Sequence, residues 1–304
     1  MTIEEKLPKG FWRLGLALAA AIWGGSFVVI KGALDVVAPS WLMCIRFALA
    51  ALVLGIAFHR RLAEKLDRKH LVAALVVGLF CGNAFIVQNI GLTTITPGRN
   101  AFLTAMYSVM VPFVNWGVAK KRPGATNVVA AILAVVGVGL LSLGDDMSLK
   151  LATGDWLSLA SAVLYALQIV AYSKLAEDCD PMVVTVLQLA VSSVVAFVSA
   201  QILGETLDVS AFSEPGLWAA LAYLVLLSSA LCFVLQNVGQ SNVPPARASL
   251  LLSLESVFAV IASILFYGEV VTFRLACGFA TIFVAVLISE VGPALIQRVR
   301  ARRA

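Results

Sequence analysis

Gln88-Asn89-Ile90-Gly91 recurs as Gln236-Asn237-Val238-Gly239, shifted by 148 positions along the chain. The same shift carries Pro97 to Pro245, Arg99 to Arg247 and Ser108 to Ser256. Upstream the offset is 142, relating Pro39 to Pro181 and Arg46 to Gln188. An internal repeat of this length means that one structural unit is built twice, and that decides the architecture before any single residue does.

The unit is built for lipid. Of the 304 residues, 61% are hydrophobic and only 13% charged, which excludes an ordinary water-soluble fold. No charge occurs in residues 71–98, 123–144, 181–204 or 215–246. A helix crosses the hydrocarbon core with roughly 20 apolar residues. Breaks at charges, Pro and Gly give spans at 11–30, 39–58, 70–92, 100–119 and 127–143, then 154–173, 181–203, 216–240, 246–267 and 273–293. The expectation is an all-α integral membrane protein of ten transmembrane helices, with repeats over 11–145 and 150–295 and a basic tail at 296–304.

Charge sets the orientation. Seventeen of the 22 Lys and Arg, among them Arg60, Arg61, Lys65, Lys120 and Arg122, fall on the side expected to hold both chain ends. The positive-inside rule places that side, and both termini, in the cytoplasm of a cell inner membrane. The net charge of +5 reflects this bias and the lipid headgroups as partners, and nucleic acid is not implied. Lys9 and Arg13 ahead of an apolar run imitate a signal peptide, but nine further spans favour a retained first helix. The five cysteines form no CxxC pair, and His59 and His70 lack partners at ligand spacing, so no metal or cofactor is expected.

Five spans per repeat is odd, so the second copy enters the membrane from the opposite face. The halves become inverted repeats about a pseudo-two-fold axis in the membrane plane, the construction of secondary transporters that work by alternating access.

Ile22-Trp23-Gly24-Gly25-Ser26-Phe27, followed by Lys31, Pro39 and Arg46, resembles the opening of EamA-type members of the drug/metabolite transporter superfamily. The Pro97 and Pro245 segments and Gly268-Glu269 fit the same pattern, with Lys121 departing from it where the second repeat has Glu269. The resemblance runs from about residue 11 to 292. It implies a basket of helices 1–4 and 6–9 around a cavity, with helices 5 and 10 outside. It also implies export of amino acids or related metabolites, and within the family the chain is most similar to YddG-like amino-acid exporters. Another metabolite class, such as a nucleoside or sugar derivative, is the alternative. An intramembrane enzyme would need a metal cluster or a nucleophile–base set that no span carries.

Ser158, Ser161, Tyr165, Gln168 and Tyr172 follow a 3-4-3-4 spacing and share one face of the sixth span. Lipid tolerates such a face poorly, so it turns toward a cavity or toward helix–helix hydrogen bonds. The repeat matches it to Leu16, Ala19, Trp23, Ser26 and Ile30, which pairs Trp23 with Tyr165. The candidate cavity residues are Trp23, Ser26, Ser161, Tyr165, Gln168 and Tyr172. Ser249, Ser253, Ser256 and Ser263 in the ninth span, and Gly78 with Gly82 in the third, read as close-packing positions. Gln88 and Gln236 read either as helix caps or as gates. Arg46 and Glu255 are charges inside spans and are candidates for gating or coupling, with Glu255 a protonatable switch or a neutral hydrogen-bonding group. Glu255 projects away from the serine stripe, so the two are not expected to face the same space. Glu290 is expected at the interface, and Arg99 and Arg247 at lipid headgroups.

Overall fold

A computed structural model of the chain describes residues 9–120, 122–142, 150–243 and 251–301, and all secondary structure among them is helical. The first half holds α1 (Lys9–Ala33), α2 (Pro39–Ala57), the short α3 (His59–Lys65), α4 (Arg68–Thr94), α5 (Pro97–Ala105), α6 (Tyr107–Ala119) and α7 (Ala125–Ser142). The second half holds α8 (Thr153–Leu175) and α9 (Pro181–Ile202). It continues with α10 (Pro215–Ala222), running through a π-helical stretch, Tyr223–Leu231, into α11 (Cys232–Asn242). It ends with α12 (Leu254–Ala262), extended by a π turn, Ser263–Tyr267, and α13 (Phe273–Ala301). Nine helical segments among the described residues are long and apolar enough to span a membrane, and Leu254–Tyr267 is a shorter apolar one. Residues 244–250, with Pro245, Arg247 and Ser249, and Lys121 lie outside the described residues.

Proline shapes the fourth span. Pro97 sits at its start, where a missing N–H costs nothing. Pro112, inside α6, cannot donate to the carbonyl of Ser108. The Ser289 hydroxyl of α13 donates to that freed carbonyl instead, at 3.1 Å. The span expected at 100–119 is two helices joined at Met106.

The helices pack through small residues, as expected where lipid supplies no hydrophobic drive between helices. A Cβ at Gly78 would lie 2.7 Å from Val191 of α9, and one at Gly82 3.0 Å from Val195, so α4 and α9 touch backbone to side chain. Gly137 of α7 and Gly278 of α13 do the same for the peripheral pair. The inverted symmetry is written into two of these contacts. Gly91 of α4 seats against Ser158 of α8, and its repeat-mate Gly239 of α11 seats against Leu16 of α1, the repeat-mate of Ser158.

Because the helices alternate in direction, one face of the bundle gathers the start of α1, the α2–α4 turn, the end of α8, the start of α9 and the end of α13. On this terminus face Asp180 ties the halves together. Its carboxylate accepts from Lys65 Nζ at 2.6 Å and from the N–H groups of Met182 and Val183 at the start of α9, while its own N–H donates to His70 Nε2. Desolvation raises the Asp180 carboxyl, but these hydrogen bonds together outweigh it and hold it below the usual carboxylate range.

Candidate substrate cavity

Between the halves lies a cavity of about 380 Å³. Two aromatic pairs stand in its wall. Trp23 of α1 meets Phe233 of α11 edge-on, with centroids 5.9 Å apart, and Tyr165 of α8 meets Phe85 of α4 edge-on at 5.3 Å. Trp23 and Tyr165 are repeat-mates, and so are Phe85 and Phe233, so one aromatic motif is used twice. The two polar ends differ. Tyr165 Oη donates to Gln88 Oε1 at 2.9 Å, whereas Trp23 Nε1 donates to the Ser228 carbonyl at 2.7 Å.

Of the cavity residues expected from sequence, Trp23, Ser26, Tyr165, Gln168 and Tyr172 line it, together with Gln88, Gln236 and Glu255. Ser161 does not. It is fully buried and its hydroxyl donates to the Ser158 carbonyl, one turn back. Ser158 is likewise packed, accepting from Asn100 Nδ2 at 2.8 Å. The polar face of α8 thus divides at Tyr165 into a packing half and a cavity half. Gln88 lies six residues inside the end of α4, so it caps nothing, and its Nε2 donates to Thr104 Oγ1.

Other expectations need correcting. Ser253 and Glu255 both line the cavity, because the helix is interrupted at Ser253 just ahead of α12. Glu290 also lines it, so α13 packs on α7 at the edge yet sends a carboxylate inward. Arg46 is not in the lining. It is buried behind Phe85, 5.4 Å from that ring, and donates to the hydroxyls of Ser229 and Ser228 at 2.9 and 3.0 Å. Those serines belong to the π-helical stretch, whose widened turn presents side chains that a regular helix would rotate away. Arg46 and Glu255 form no ion pair among the described residues. Sequence reading missed Phe85, Tyr107, Thr104, Gln188 and Phe233, although the repeat pointed to Phe233 once Phe85 was known.

The lining reaches Tyr172 and Thr185 toward the terminus face and stops short of the opposite face, where a polar latch closes the bundle. Arg99 of α5 grips Asp155 of α8 with two parallel hydrogen bonds of 2.6 and 2.7 Å, so it does not reach for headgroups. Glu269, which precedes α13, accepts from Thr96 Oγ1 at 2.5 Å and from the Gly98 N–H at 3.1 Å. This carboxylate from one half caps the uncapped start of α5 in the other, where the helix dipole favours negative charge. A Cβ at Gly98 would fall 2.6 Å from the carboxylate, so only glycine admits it. At the end of α4, Lys31 Nζ donates to the Leu92, Thr93 and Ile95 carbonyls.

A family model, the EamA-like transporter family, matches residues 10–143 and again 152–290. The chain belongs to the EamA-like transporter family. It is 29% identical over 284 residues to an uncharacterized transporter of Archaeoglobus fulgidus, covering 93% of this chain and 87% of the relative. It is 25% identical to the threonine/homoserine exporter RhtA of Escherichia coli K12, over 84% of this chain and 83% of that one. The Salmonella typhimurium SL1344 RhtA is also 25% identical, over 88% and 87% of the two chains. A crystal structure 16% identical to this chain superposes with a TM-score of 0.66 over 93% of this chain and 97% of that one, which shows a shared fold. As an EamA-like member with this many apolar spans, the protein is a multi-pass inner-membrane transporter and not an enzyme.

Proposed function

We propose that this transporter exports small metabolites, most of all amino acids, by alternating access, with the cavity between the repeats as the substrate site. The observation that carries the reading is the cavity wall. Repeat-related aromatic pairs, Trp23–Phe233 and Tyr165–Phe85, alternate there with the amides of Gln88, Gln168 and Gln236, a lining suited to small amphipathic solutes. The RhtA relatives, named as threonine/homoserine exporters, favour amino acids over nucleosides or sugars. Latched on one face and reaching toward the other, the protein stands in one of the two end states that inverted repeats interconvert. With the basic loops in the cytoplasm, this is the inward-facing state. Arg46 holds the π-helical stretch in place behind the wall, and Gln88 and Gln236 occupy matched positions in the two halves.

The test is uptake of radiolabelled amino acids, with threonine and homoserine in the panel, into proteoliposomes holding the purified protein, with and without a pH gradient. Saturable uptake that Trp23→Ala and Tyr165→Ala abolish supports the reading. Uptake of nucleosides or sugar derivatives with no amino-acid flux overturns it.

A further inference from the structure

We infer that Glu255 is the ammonium-binding group of the cavity, which makes the site selective for solutes bearing a cationic nitrogen; the inference rests on the cavity being the transport site. Glu255 lines the cavity from the first turn of α12, and among the described residues nothing donates a hydrogen bond to its carboxylate. Arg46, the deep cation of the first half, lies outside the lining and donates to the hydroxyls of Ser228 and Ser229. No Lys, Arg or His occurs among the described lining residues. A carboxylate kept inside a span without a donor is costly and marks a ligand position.

An ammonium group answers each part of this site. It brings three donors and a full charge to the carboxylate. The aromatic side chains that share the lining with Glu255, Phe27 and Tyr107 among them, add cation–π attraction. A solute carboxylate meets only neutral donors here, the glutamine amides and the tyrosine hydroxyls. The cavity therefore holds an amine more tightly than an acid of the same shape. Its ligand class is a primary amine with a compact apolar or aromatic body, of which amino acids are one kind.

The experiment compares phenethylamine, 3-phenylpropionate and phenylalanine by equilibrium binding to the full-length protein in detergent at neutral pH, for the native chain, Glu255→Gln and Glu255→Asp. Charge-assisted hydrogen bonding predicts that phenethylamine binds about ten- to a hundredfold more tightly than 3-phenylpropionate. Glu255→Gln cuts that preference at least tenfold, leaving what the Glu290 carboxylate of the same lining supplies, and Glu255→Asp keeps more of it. Equal or reversed affinities in the native protein overturn the inference, and so does failure of both single-charge compounds to bind. These comparisons need no variant, so they decide the matter even if Glu255→Gln does not fold. Binding of phenethylamine without phenylalanine keeps the inference and removes the amino-acid reading. Phenylalanine binding that Glu255→Gln leaves unchanged does the reverse.

Discussion

Asp155→Asn loosens the latch without emptying its space. Asp155 is fully buried, and its carboxylate takes both Arg99 hydrogen bonds while also accepting from the Ala152 N–H at 2.8 Å. Asparagine keeps one acceptor for Ala152 and loses the charge that holds the guanidinium. Breaking a buried ion pair costs about 3–5 kcal/mol. Arg99 remains 22% exposed, so water recovers part of this, and roughly 1.5–3 kcal/mol is the fitting figure for lost charge-assisted hydrogen bonds. The pair joins opposite halves, so the loss falls on the latched state and shifts the latched-to-open ratio by about ten- to a hundredfold. A cysteine at Ser158, buried one turn below Asp155, reports the opening in a background with the five native cysteines replaced. An impermeant maleimide added at the latch face should label it at least tenfold faster in Asp155→Asn than in the parent. Equal labelling of two folded proteins would refute the latch.

Tyr165→Phe should lower flux several-fold at unchanged folded yield, since it removes only the hydrogen bond to Gln88, worth about 0.5–1.5 kcal/mol. Trp23→Ala and Tyr165→Ala, measured in the same vesicles, should cost far more. Gly24→Val should lower the melting temperature sharply, because a Cβ there would lie 2.6 Å from Phe258 and 2.7 Å from the Glu255 carbonyl, whereas Gly117→Ala, with nothing within 4 Å, should leave it unchanged. Asp180 titrates lower when folded than a free aspartate, so its contribution is complete above the ordinary aspartate range and lost as pH falls through the lower folded value. Melting curves for the native protein and Asp180→Asn should accordingly be separated at pH 7 and converge only in acid below the ordinary aspartate range, as the folded Asp180 takes up its proton. A cysteine at Lys65 should label only from the cytoplasmic side and one at Asp208 only from outside; labelling of both from the same face removes the assigned orientation.

Much of this molecule was legible because membrane spans announce themselves by length and composition, and because a repeat lets one half predict the other. Trp23 with Tyr165 is the clearest case: a shift in sequence became a matched pair of cavity aromatics. The misread residues share a cause. Arg99, Glu290 and Ser161 sit on helices of the expected kind, but Arg99 meets Asp155 of the other half, Glu290 turns into the cavity and Ser161 bonds one turn back, and these meetings are set by helix packing that hydropathy and spacing do not record. The latch was illegible for another reason. Its carboxylates, Asp155 and Glu269, come from loop-proximal positions of one half and find partners in the other, and no spacing within a segment records that meeting.

The most direct test of alternating access locks the latch. Thr96 and Glu269 meet side chain to side chain across the two halves. Cysteines at both positions, joined by a short cleavable bis-thiol reagent, should abolish the flux that the untreated double variant shows in proteoliposomes, and cleavage should restore it, while the reagent leaves the rate of either single-cysteine variant unchanged. The cavity should stay reactive from the terminus face throughout, read at a cysteine replacing Gln168. Undiminished flux with the latch fully cross-linked would contradict the account.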